Sequence, residues 1–400
     1  MNIDLRLPPL WSPEVEQRIR KEAYSLDEQA KTQPKETRFC VRCVVSNQRP
    51  RITFDREGVC SACRYAEAQR NIIDWASRGE QLSRLLDIHR RVEGYDVIVP
   101  CSGGKDSAMV AHRLKHEHGM TPLCVTWAPF AYTDIGWQNF QNFVHSGFDV
   151  ITAFPNGIIH RKLARLCGEF LGDFWQAFAF GQLAYPMRMA ARFGVRLVVG
   201  AENGEAFYSG DLSAADKPQF AYADWDRVYL KGAGMARLVQ IGCDIGALSD
   251  DDLRQISEFY YMPSREQLKG IEYHWLSYYR PHWPMDNFYE AVEHTGFTPN
   301  PERSEQTYTK FASIDDRLDP FHYRFAYLKF GIGRATADAS QQIRAGDIMR
   351  EEGLALVHRY DAEFPAKEYD LFKQYLGLDD DHYMALEDRF RRLDVLQITA

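Results

Sequence analysis

Between Tyr95 and Gly200, short runs of apolar residues alternate with stretches whose apolar positions recur every three or four residues. Tyr95 to Cys101 (YDVIVPC), Pro122 to Trp127, Phe148 to Thr152 and Val195 to Gly200 read as strands. Ala108 to His118, Trp137 to Ser146, Ile158 to Phe170 and Gly181 to Phe193 read as helices, and Gly119 stops the first of them. Strands this short and this apolar are buried on both faces, so the pattern predicts an α/β fold, a parallel sheet with helices on each side. Beyond about Tyr208 the alternation stops; the rest of the chain reads as loops and then helices, one starting at Ser249 before Asp250, Asp251 and Asp252. Upstream, Pro13 to Lys31 is helix-like. The predicted organisation is an arm (1–38), a cysteine-bearing ribbon (39–66), a helical linker (67–94), the α/β domain (95–225) and a helical, aromatic-rich region (226–400).

At about 150 residues per domain, 400 residues make two or three folding units, and 45% apolar residues suffice for real cores. Lys and Arg number 48 against 56 Asp and Glu, so 48 − 56 = −8 and no domain-wide basic field invites nucleic acid. The N-terminus lacks a basic head followed by an apolar core, and no uncharged apolar run reaches the roughly 18 residues of a membrane span. The expectation is a cytoplasmic protein.

Two segments carry recognisable chemistry. Ser102-Gly103-Gly104-Lys105-Asp106-Ser107 joins a buried strand to a helix, so backbone N–H groups converge on an anion at the helix N-terminus. Ser102 and Ser107 add hydroxyls, Lys105 a mobile positive charge, and Asp106 a carboxylate for Mg2+ against phosphates. Cys40, Cys43, Cys60 and Cys63 form two C-x2-C pairs with the spacing of a four-thiolate site with no open position, which favours structural Zn2+ over an iron–sulfur cluster or incidental thiols.

The loop SGGKDS after VIVPC resembles that of the PP-loop ATP pyrophosphatases, whose fold is adenine nucleotide alpha hydrolase-like. Within that group CVRCVVSNQRPRITFDREGVCSACRY, FPNGIIHRKLARL, GAENGEAFYSG and SIDDRLDPFHYRFAYLKFGIGRATADASQQIRAGDI are similar to segments of the N-acetyl sugar amidotransferases. The resemblance runs from Phe39 to about Pro365, with Ala201 where glycine is expected. It implies an ATP-dependent synthetase subunit that forms AMP and pyrophosphate and converts a sugar acetamido group to acetamidino. The setting would be bacterial surface polysaccharide, such as LPS O-antigen, or nonulosonic-acid biosynthesis. It further implies ammonia from a separate glutaminase, joined in related systems by a cyclase-like subunit derived from histidine biosynthesis, and an acetamido sugar or nucleotide sugar as substrate.

Position along the strands supplies the other candidates. Thr126 and Trp127, ending the second strand, are placed to meet adenine, with ordinary core packing an equal alternative for Trp127. Glu202, Asn203 and Glu205 come after the fourth strand; Glu202 or Glu205 is the candidate base. Asn156, Asn203, Asp315, Asp316 and Arg334 are candidate substrate ligands, with turn formation, capping and solvated charge as the alternatives. The aromatic stretch Tyr273 to Tyr289 reads as core or interface before a stacking platform, and His112 with His116 lacks a third metal ligand. Two rival functions remain open: a tRNA sulfurtransferase with persulfide on Cys101 or Cys167, and a non-catalytic nucleotide-binding scaffold.

Overall fold

The computed structural model describes residues 6–220, 222, 224 and 234–399. Five parallel strands form one sheet in the order β3-β2-β1-β4-β5: β1 (Val97–Pro100), β2 (Pro122–Trp127), β3 (Asp149–Ala153), β4 (Leu197–Gly200) and β5 (Glu272–Trp275). Successive side chains point to opposite faces, and the apolar residues divide accordingly. Val97, Val99, Cys124, Leu197 and Val199 pack with Leu82, Leu114 and Phe143 on one face. Ile98, Leu123, Val125 and Val198 join the larger core on the other, under the helices Gly157–Leu171 and Gln176–Phe193. Trp127, only 3% exposed, lies in that second core among His160, Tyr185 and Tyr260.

The fifth strand corrects the expectation that strand formation ends near Tyr208. Glu272–Trp275 pairs with β4 in the register Leu197↔Glu272 to Gly200↔Trp275. The segment EYHW is short and aromatic and stands far along the chain from β4, so its own pattern carries no strand period; the exposed edge of β4 orders it. The 225/226 boundary expected between the α/β domain and the helical region lies outside the described residues.

The C-terminal helices extend the sheet's core. Phe321 stacks on Phe372 at 3.9 Å between centroids, and Phe325, Tyr383 and Leu386 belong to the same cluster as Leu163 and Phe170. The N-terminal segment is likewise docked: Trp11 Nε1 donates to the Ala247 carbonyl at 2.7 Å, and Arg161 donates to the Pro8 carbonyl at 2.9 Å. The expected helix from Pro13 to Lys31 is two pieces, Pro13–Glu22 and Glu28–Lys31. The break buries Leu26, whose N–H bonds the Phe170 carbonyl, and Asp27, which meets Lys329 at 2.8 Å. Among the described residues no helix is long and apolar enough to cross a membrane.

Candidate active site

A cavity of about 450 Å³ opens beyond the carboxyl ends of β1 and β4. One wall is the loop Ser102 to Ser107. The helix Lys105–His116 starts at Gly104 without a side-chain cap, which leaves its first N–H groups for an anion. Ser102 and Ser107 brace the turn: Ser107 Oγ accepts from the Ser102 N–H at 3.4 Å and donates to the Gly104 carbonyl at 3.2 Å. Gly103 has φ +83°, and a Cβ there would lie 2.8 Å from the Phe140 Cα. Strain and clash coincide, so Gly103→Ala is expected to cost about 1–3 kcal/mol in a denaturant titration, whereas Gly104→Ala, facing only the Ser102 hydroxyl at 3.3 Å, leaves the midpoint nearly unchanged.

Two carboxylates line the cavity here, Asp106 from the loop itself and Glu202 from the segment after β4. Asp106 meets Lys105 Nζ at 2.5 Å and accepts from Asn287 Nδ2 at 2.8 Å. Burial pushes Asp106 up, but Lys105 and the Asn287 bond prevail and hold its pKa below the ordinary value. Glu202, at the end of β4, is pushed up to about 7 by burial and by the nearby charge of Asp106. Two carboxyls close enough for the charge of Asp106 to raise Glu202, beside an anion nest, are a donor set suited to a hard cation. His282, whose ring Nδ1 lies 3.2 Å from Asn287, is driven down to about 4 by burial, so it is neutral near pH 7.

The far wall comes from the C-terminal half. The Thr133 N–H donates to the Asp315 carbonyl at 3.2 Å and the Arg317 N–H to the Ala131 carbonyl at 2.9 Å, strapping Ile314 to Arg317 beside the loop after β2. Asp315 therefore lines the cavity, its pKa raised to about 6 by burial and by Asp319. Arg334 begins the helix Arg334–Ala345 and lines the same cavity, with Asp338 at 3.1 Å and its guanidinium over the Tyr323 ring. Asp361 fixes this turn by accepting the N–H groups of Gly333 and Thr336 at 2.9 and 2.8 Å.

Of the residues singled out from sequence, Ser102 to Ser107, Glu202, Asp315 and Arg334 thus share one cavity. The others stand elsewhere. Thr126 donates its hydroxyl to the Cys101 carbonyl, and neither it nor Trp127 lines the cavity. Asn156 caps the helix Gly157–Leu171 and bonds Gln255 at 3.0 Å. Asn203 accepts from the Glu205 N–H at 3.1 Å, ordering the π-helical turn Glu205–Ser209. Glu205 is held by Arg51 at 2.5 and 2.7 Å and borders a second cavity. Asp316 is 1% exposed and accepts the N–H groups of Phe130 and Leu318 at 2.6 and 2.9 Å. Sequence reasoning missed Asn139, Gln182 and Ser313, which also line the first cavity. Ser313 sits at φ +53°, backbone that no periodicity signals. Tyr273 and Trp275 line it as well, from β5.

Cys40, Cys43, Cys60 and Cys63 are buried, and one ligand atom from each lies within 4.8 Å of every other. The Cys40–Cys63 and Cys43–Cys60 Sγ pairs stand 3.9 and 3.7 Å apart. Four thiolates at about 2.3 Å from a central ion form a tetrahedron with edges of about 3.8 Å, so the cluster fits a structural metal such as zinc. Backbone N–H groups of Arg42, Cys60 and Cys63 point at the sulfurs from 3.3 to 3.4 Å.

No curated protein matches the chain. Residues 305–395, the segment that supplies Ser313, Asp315 and Arg334 to the cavity, match the model of a family described as LPS biosynthesis protein WbpG-like, C-terminal domain.

Proposed function

We propose that this chain is the ATP-dependent synthetase subunit of a sugar amidotransferase acting in surface-polysaccharide biosynthesis. It would activate an acetamido oxygen with AMP and replace it by ammonia. The observation that carries this reading is the cavity in which the uncapped helix start of SGGKDS faces Glu202, Asp315 and Arg334. The LPS-biosynthesis match over 305–395 supports the sugar setting, since that segment builds the wall opposite the loop.

An amide carbonyl is a poor electrophile and its oxygen a poor leaving group; transfer of AMP to that oxygen cures both defects. The amide oxygen attacks the α phosphorus, the bond to the β phosphate breaks, and pyrophosphate departs into the N–H nest. Charge accumulates on the leaving group, where preorganised donors and Lys105 count most. Mg2+, for which Asp106 is the candidate ligand, would neutralise phosphate charge when bound. Ammonia then attacks the imidate carbon, AMP leaves, and a carboxylate takes the proton shed by nitrogen. Glu202 suits that role because its pKa of about 7 balances availability against basicity. Ammonia would come from a separate glutaminase subunit, and zinc would occupy the four cysteines.

The sulfurtransferase alternative needs a thiol at the nucleotide. Cys101 is 4% exposed and packs with Val99 and Cys124, Cys167 is fully buried, and neither lines the cavity.

The decisive experiment supplies ATP, ammonium and acetamido sugars and analyses products by mass spectrometry. AMP, pyrophosphate and a sugar lighter by about one mass unit are expected, from replacement of O by NH; ADP as the nucleotide product would reject the scheme. Because the carboxylate of Glu202 is the working form, turnover rises with pH through about 7. In Glu202→Gln that limb disappears, while the rise set by deprotonation of ammonium, at higher pH, persists.

A further inference from the structure

A second cavity, of about 260 Å³, adjoins the first, and Ala179 lines both. Its charged lining is mostly matched within the protein. Arg51 grips Glu205, Lys329 meets Asp27 at 2.8 Å, and His322 Nδ1 meets Asp173 at 2.9 Å. Arg49 is the exception: it lines the cavity, half-buried, and no hydrogen bond or ion pair from the described residues reaches its guanidinium. The guanidinium stands over the ring of Tyr208, 5.7 Å from its centroid, and the Tyr208 hydroxyl in turn lies 3.4 Å from Glu202 in the first cavity.

The backbone that carries Arg49 is strained. The Ile52 N–H bonds the Arg49 carbonyl at 3.2 Å with Pro50 between, and Arg51 adopts φ +66°. This is a type II turn with arginine at the position that glycine ordinarily takes, a conformation costing about 1 kcal/mol or more. The ion pair of Arg51 with Glu205 holds the turn against the π-helical segment, with Arg49 lining the cavity beside it. Burial lowers the pKa of Arg49 and outweighs the opposing charge of Glu205, a carboxylate whose two oxygens Arg51 already engages. A cation held at such a cost beside a cavity fits a ligand that supplies the missing charge.

Resting on the adenylation reading, we propose that the second cavity is the subsite for an oxyanion of the acceptor substrate, a phosphate or a carboxylate, with Arg49 as its direct ligand. The acetamido end of the same molecule then extends past Ala179 to the loop. Because Arg49 and Arg51 lie within the cysteine ribbon, the ribbon contributes to substrate recognition as well as to structure.

The test is calorimetric titration of the metal-loaded full chain with three probes: uridine diphosphate N-acetylglucosamine, glucuronate and uncharged N-acetylglucosamine. At least one charged probe is expected to bind about tenfold or more tightly than the neutral sugar, with an advantage that weakens as salt is raised. Which charged probe gains it identifies phosphate or carboxylate as the source. Arg49→Gln removes the advantage and Arg49→Lys keeps part of it. Arg49→Gln also melts no lower than the parent, since it relieves an unmatched cation, an outcome that a purely structural arginine would not produce. Should Arg49→Gln fold poorly, Arg49→Lys and the salt dependence of the parent carry the test. Equal or undetectable binding of all three probes, or an advantage that survives Arg49→Gln, overturns the proposal. Affinity for a non-hydrolysable ATP analogue, measured on the same samples with Lys105→Ala alongside, reports on the loop separately. Absence of analogue binding with Arg49-dependent probe binding intact would retire adenylation and leave this subsite standing.

Discussion

Lys105→Ala is expected to lower the rate of AMP and pyrophosphate release by about 10²–10³-fold while weakening ATP-analogue binding much less. The side chain sits at the first position of the uncapped helix, its ammonium 2.5 Å from Asp106 and 12% exposed. The backbone N–H groups and the Ser102 and Ser107 hydroxyls remain in the variant, so ground-state affinity survives. What is lost, under the proposed adenylation, is a charge that would meet the departing pyrophosphate, an interaction that would strengthen only as the bond to the α phosphorus breaks. Single-turnover rates in rapid quench and analogue affinities by calorimetry separate the two effects; equal losses in both would make Lys105 a mere binding residue.

The same variant carries a second signature. Lys105 lowers the pKa of Glu202, opposing burial and Asp106. Removing it shifts the Glu202 titration above about 7, so the variant's pH limb moves upward and its fold-deficit is larger on the acid side of that limb than on the alkaline side. A loop that had simply collapsed would lose activity at every pH alike.

How much of this site was legible in advance depended on whether local pattern or distant packing decided each residue. SGGKDS was readable because a buried strand, a turn and a helix start are consecutive there, and the four cysteines because metal ligation imposes spacing. Four of the five strands showed as apolar runs for the same local reason. The fifth did not, since EYHW is a strand only because β4 presents an edge to it. Asp315 and Asp316 are neighbours with opposite fates: one faces the cavity, the other is consumed by the amides of Phe130 and Leu318. Sequence offers no way to tell them apart, because the strap to the loop after β2 decides it. Glu205 is equivalent to Glu202 in sequence position, and only Arg51, 154 positions away, sets the two apart by holding one of them. Arg49 carried no signal at all; its significance is the absence of a partner, which only three dimensions reveal.

Metal removal should have the largest effect on stability. Structural zinc in small ribbons contributes about 10–16 kcal/mol of apparent binding energy, comparable with the whole stability of an ordinary domain. Around the cysteines only Val45, Ile52, Val59 and a few neighbours are buried, packed on Phe330 and Ile332, so little else sustains the segment. Chelation is therefore expected to unfold it and to expose four thiols beyond the partly accessible Cys243, as counted with a thiol reagent. The damage should spread unevenly. Ser61 Oγ bonds the Ser209 carbonyl at 2.8 Å, and Arg344 and Arg350 reach Cys43 and Cys40, so the π-helical turn and the ends of two C-terminal helices loosen. The loop Ser102 to Ser107 stands on β1 and on the core formed by Val97, Val99 and Leu114, a cluster that among the described residues contains none of the ribbon. ATP-analogue affinity should thus persist in the metal-free protein at low temperature while charged-probe binding at Arg49 vanishes. Zinc readdition restores both the thiol protection and the probe binding. A chelated protein with unchanged thiol count and melting temperature would show that the four sulfurs hold no ion, and a visible absorption band in the purified protein would point to an iron–sulfur cluster in its place.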